Sequence, residues 1–104
     1  MSFSNEIPSI SGRQAVDAQF ESVGKVTDVL FGDVSSEPRW AVVKTGLLGG
    51  EHYVPLSNSY IDQRGRLVVP FDKTTVKHAP KAHGDHVMTR DLADELQSYW
   101  GVAA

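Results

Sequence analysis

The sequence predicts a small, mainly β domain: an antiparallel barrel or sandwich of five or six short strands, with a short helical turn and a C-terminal α-helix. Three observations predict it. Apolar and β-branched runs, each only a few residues long, alternate with turn residues from Gln14 to Phe71. Tight turns between such runs favour antiparallel pairing, and closing a small sheet into a barrel removes most of its exposed edge. After Phe71 the pattern changes, and residues 89–101 carry helical periodicity with a cap at each end.

Taken in order, residues 1–12 are serine-rich with Pro8 and read as a mobile arm before the barrel. "QAV" at 14–16 opens the first strand, and "GKVTDVLFGD" at 24–33 forms the second. Its alternation is imperfect. Val26 and Leu30 share one face with Asp28, whereas Val29 and Phe31 share the other with Lys25 and Thr27. Either both faces are partly covered or a bulge shifts the register midway. "SSEP" at 35–38 turns the chain into the strand "RWAVVKT". "GLLGG" breaks that strand, and "EHYVPL" follows, with Pro55 suited to an edge or a strand end because it cannot donate to a ladder. "YID" is a brief strand. "RLVVPF" at 66–71 alternates Leu67, Val69 and Phe71 with Arg66, Val68 and Pro70.

"DKTTVKH" makes a short helical turn, with Asp72 as its cap and Pro80 as its stop. In "TRDLADELQSYWG" Thr89 is the N-cap, Asp91 favours the positive end of the dipole, and Gly101 suits the residue past the end. Leu92, Leu96, Tyr99 and Trp100 then share one face. A helix of about 12 residues is marginal alone, so this stripe docks on its own barrel or on a neighbouring chain.

Composition narrows the function. The 104 residues fit one domain, and the absence of cysteine excludes disulfides, thiolate zinc sites and a cysteine nucleophile. The first 12 residues lack a basic and an apolar signal region, and no apolar run approaches the roughly 20 residues of a membrane helix. A cytoplasmic protein without membrane insertion is therefore expected. Formal charge is −3, with four basic against six acidic residues over 1–50 and six against seven over 51–104. That balance does not favour nucleic acid. The local exception is Arg64, Arg66, Lys73, Lys77 and Lys81, accompanied only by Asp72, which reads as a solvated edge or, alternatively, as a face for RNA.

Catalytic patterns are missing: there is no G-x-S-x-G elbow, phosphate loop or dinucleotide fingerprint. Asp28 and Asp33 sit at an odd spacing, so a strand points them to opposite faces and they cannot work as a pair. Of His78, His83 and His86 only the 83–86 pair has helical ligand spacing, and Gly84 argues against a helix there, so they read as loop histidines, with weak transition-metal binding the alternative. His52 shares a strand face with Val54 and Leu56 and reads as a hydrogen-bonded barrel histidine. No cofactor, metal or small-molecule substrate is expected. Leu47 and Leu48, bare apolar groups among glycines, either plug a barrel end or mark a contact surface. Trp40, Tyr53, Leu96, Tyr99 and Trp100 are the matching anchors for a protein partner, or else core.

"VGKVTDVLFGD" resembles the opening of PRC-barrel domains, and "EPRWAVVKTGLLGGEHYVPL", "VPFDKTTVKHAP" and "LQSYWGV" resemble a bacterial subgroup of that family in order and spacing. The resemblance covers roughly residues 12 to 103. It implies a six-stranded antiparallel barrel over 13–80, with 81–104 as a loop and docking helix, acting as a non-catalytic interaction or assembly module. Two turns depart from the family pattern: "DAQFES" stands where a glycine is usual, and Ser35 and Ser36 replace a Thr-Gly pair. Many subgroup members continue into a second domain; here the sequence ends at Ala104, so any such partner is expected on a separate polypeptide. Self-association, as a homodimer or higher, is the leading expectation, and an RNA or ribosome accessory role the alternative.

Overall fold

The computed structural model describes residues 10–31, 38–46, 50–82 and 89–101. The turn at 35–37, Leu47, Leu48, His83 and His86 lie outside them. Six strands form one sheet: β1 (Gln14–Val16), β2 (Ser22–Phe31), β3 (Pro38–Lys44), β4 (Glu51–Pro55), β5 (Tyr60–Ile61) and β6 (Leu67–Val68). Two helices follow, α1 (Lys73–Lys77) and α2 (Arg90–Trp100). The mainly β, six-stranded expectation holds, with two differences in detail.

The sheet order is β4-β3-β2-β1-β6-β5, and β1 runs parallel to β6, so the sheet is mixed rather than wholly antiparallel. Among the described residues β4 and β5 are not paired, so the ladder is not closed. Backbone from the connecting segment covers the outer edge of β4 instead: Ala82 N–H donates to the Glu51 carbonyl at 2.7 Å, and Lys81 bridges His52. One core cluster nevertheless runs from Val54 on β4 through Val26 on β2 to Leu67 on β6, which gives the sheet its barrel-like wrap. Ile10, placed in the arm by its sequence context, is fully buried in this core.

β2 explains its own irregular pattern. The register against β3 shifts between Val26 and Asp28, and this bulge puts Val26 on the same face as Val29. β3 buries Trp40, Ala41, Val42 and Val43 in succession, so both of its faces are covered. Alternation fails there because there is no solvent side to alternate with. Gly24, in the middle of the β1–β2–β3 pairing, leaves no room for a side chain: a Cβ would lie 2.0 Å from the Lys44 carbonyl oxygen.

Both helices start as their sequences direct. Asp72 accepts from Thr75 N–H at 2.8 Å, and Thr89 Oγ1 accepts from Leu92 N–H at 3.2 Å. Gly101 ends α2 at φ 70°, a left-handed conformation that glycine adopts without steric cost. α2 turns Leu96 and Trp100 into the core. The Trp100 indole donates to the Tyr53 carbonyl at 3.0 Å, and its ring lies 4.6 Å from that of Phe71.

Candidate functional site

The anchors expected from the sequence divide sharply. Trp40, Tyr53, Leu96 and Trp100 are buried together in the core. Tyr99 alone among those described stays at the surface, 39% exposed, and its hydroxyl donates to the Thr75 carbonyl, tying α2 to α1. Burial, and then the charge of Asp72, push the Tyr99 phenol above its ordinary value. The reason for the division is geometric. A short helix with one apolar stripe is satisfied once that stripe meets its own sheet.

Two polar side chains of the fold that the sequence singled out are also engaged. His52 is buried, with Nδ1 donating to the Ala79 carbonyl at 2.8 Å. Asp28 accepts from the Val29 N–H beside the β2 bulge. Among the described residues no group of three or more potential ligands could hold a metal ion. The basic residues of 64–81 are dispersed rather than gathered. Arg66 pairs with Asp62 at 2.8 Å, Lys81 lies beside β4 through its bridge to His52, and Lys73 and Lys77 stand on α1.

What the sequence did not single out is the turn between β1 and β2. Asp17 is buried at its base. One carboxylate oxygen accepts from the N–H groups of Gln19 and Glu21, each at 2.9 Å, and the other from Lys73 N–H at 3.3 Å. Backbone bonds from Asp17 N–H to Glu21 and from Phe20 N–H to Asp17 close the same loop. At its tip Phe20 has φ 65° and is 49% exposed. A bulky side chain in the left-handed region costs about 1–2 kcal/mol. It persists where the surroundings over-determine it, and here Asp17 clamps both neighbours of Phe20.

Arg66 lies over the Phe20 ring, 5.4 Å from its centre. Arg66 is itself positioned by the β5–β6 turn. Asp62 accepts from the backbone of Arg64 and Arg66 and from the Arg66 guanidinium. These bonds, first that of the Arg66 backbone, hold the Asp62 carboxyl below the usual value despite some desolvation. The same hairpin carries Tyr60, 46% exposed on the outermost strand of the sheet. One signal pointed here: the first turn lacks the glycine usual in domains it resembles, and Phe20 occupies a conformation that glycine would favour.

The PRC-barrel domain family matches residues 4–96, so the chain belongs to this family of protein-interaction and assembly modules, which are generally non-catalytic. No curated protein matches the chain. No helix among the described residues is long and apolar enough to cross a membrane.

Proposed function

We propose that the chain is a non-catalytic assembly module that holds a protein partner, a second copy of itself included, against a surface centred on Phe20. The observation that carries this reading is the built turn: a buried carboxylate fixes a strained backbone so that an aromatic ring stands exposed with an arginine on its face. Aromatic side chains and arginine are the groups that dominate protein interfaces, and a ring held rigidly loses little freedom on binding. Tyr60 and the outer edge of β5, unpaired among the described residues, extend the surface. Leu47 and Leu48 enter the proposal through sequence alone, as an apolar pair between glycines. α2 supports a partner elsewhere than on its own apolar stripe, since Leu96 and Trp100 are already buried. The cytoplasmic setting expected of a cysteine-free chain belongs to the same proposal.

The test is affinity capture from the native host, together with sedimentation over a range of protein concentrations. Wild type, Phe20→Ser and Leu47→Asp are compared. A partner or a self-associated species held by wild type and lost with Phe20→Ser is the expected result. Equal retention by Phe20→Ser would remove Phe20 from the contact.

A further inference from the structure

A depression of about 640 Å³ opens where β1, β2 and the end of β3 meet α1. Four of its lining residues are Lys25, Lys44, Lys73 and Lys77, and no carboxylate is among those described. Lys25 and Lys44 are register partners on β2 and β3, so they leave the same face of the sheet side by side. Lys73 and Lys77 are one turn apart on α1. Like charges repel both directly across a strand pair and at i, i+4 on a helix. Among the described residues none of the four has an ion-pair partner. The nearest acid by register, Glu51 opposite Lys44, accepts a hydrogen bond from the Thr27 hydroxyl.

A chain of net charge −3 does not gather four cations into one concavity through general basicity. One neutral donor completes the lining. Ser22 Oγ accepts from Gln14 Nε2 at 2.9 Å, which leaves its own hydroxyl hydrogen to give, whereas the Thr45 hydroxyl beside Lys44 donates to the Gly50 carbonyl. We propose that this depression binds a compact multivalent phosphate, with the diphosphate group as its ligand class. Two pairs of lysines on two walls match two linked phosphoryl groups, and lysine acts on phosphate as a point charge. The volume lies within the range of small-molecule sites, about 300–1,000 Å³. Among the described residues no aromatic side chain lines it for base stacking, which sets it apart from a single-strand nucleic-acid groove.

Titration calorimetry of the full chain at low ionic strength tests this with inorganic pyrophosphate, inorganic phosphate and chloride at matched ionic strength. Saturable binding of pyrophosphate is expected, with Lys44→Gln and Lys73→Gln each weakening it at least about tenfold. Arg90→Gln, on the exposed start of α2, should leave it unchanged. Relief of repulsion should also raise the low-salt melting midpoint of ligand-free Lys25→Gln. ADP binding more tightly than pyrophosphate would assign the diphosphate to a nucleotide, and equal affinity would assign it to the free anion. Chloride-like behaviour of pyrophosphate would overturn the proposal, as would equal losses in the Arg90→Gln control or an oligonucleotide that outcompetes pyrophosphate.

Discussion

Gly24→Ala is the smallest change that strikes the centre of this fold. A methyl group built on Gly24 lies 2.0 Å from the Lys44 carbonyl oxygen, 2.8 Å from the Lys44 carbonyl carbon and 3.1 Å from a methyl of Val43. Two of those three atoms are backbone, so no side-chain rotation relieves the clash. The carbonyl must retreat by more than an ångström to reach ordinary contact, and β3 carries it away from Lys25 and Val26. Overpacking of this kind costs about 1–3 kcal/mol. Two strained ladder bonds add about 1 kcal/mol each, and alanine's smaller unfolded-state entropy returns up to about 1 kcal/mol. The net loss is about 3 kcal/mol, a large part of the roughly 5–15 kcal/mol available to a domain. Circular dichroism during urea and thermal unfolding reads it, as a fall in melting midpoint of about 12–24 °C at this size. A variant within about 0.5 kcal/mol of wild type would refute the close approach of β2 and β3 that the reasoning requires.

Three further outcomes follow from the same contacts. Trp100→Phe keeps the ring but removes the indole donor to the Tyr53 carbonyl, and should cost about 1–2 kcal/mol in urea unfolding with an unchanged slope. Asp17→Asn sets an amide where three backbone N–H groups require acceptors, and should cost about 2 kcal/mol while narrowing the separation between global unfolding and proteolysis in the 17–21 turn. Asp62 and Asp72 both have folded-state pKa values depressed below 3.8, Asp62 first by the Arg66 backbone N–H and Asp72 first by that of Thr75. Their contribution is therefore fully present above 3.8 and lost as pH falls through the lower folded values. Unfolding midpoints measured across that acid window should fall less steeply in Asp62→Asn and Asp72→Asn than in wild type.

What could be read from sequence was local. Thr89, Asp72 and Gly101 announce helix ends because a cap is a contact between near neighbours in the chain. The β2 bulge was one of two readings of the broken alternation at Val26 and Val29, the other being cover on both faces, and the register against β3 shows the bulge. Long-range placement was hidden. β1 pairs with β6 in parallel across some fifty residues, and no pattern within either strand encodes that choice. Trp40, Tyr53 and Trp100 carry the same composition as an interface anchor or a core residue, and only the docking of α2 decides between them. The four lysines of the depression come from three elements and look like ordinary surface charges until the sheet and α1 bring them together. Phe20 left a trace in the missing glycine, but its meaning needed a φ angle.

Under the proposed function Phe20 stands where it does for contact and not for stability. Equilibrium unfolding of Phe20→Gly, read beside partner capture by the same variant, tests it most directly. Release of left-handed strain, about 1–2 kcal/mol, should offset the lost arginine stacking of about 0.5–1 kcal/mol and the added chain entropy of glycine. The expected result is a variant within about 1 kcal/mol of wild type that no longer holds its partner. A variant that loses more than about 2 kcal/mol while still binding would contradict it, for Phe20 would then belong to the fold.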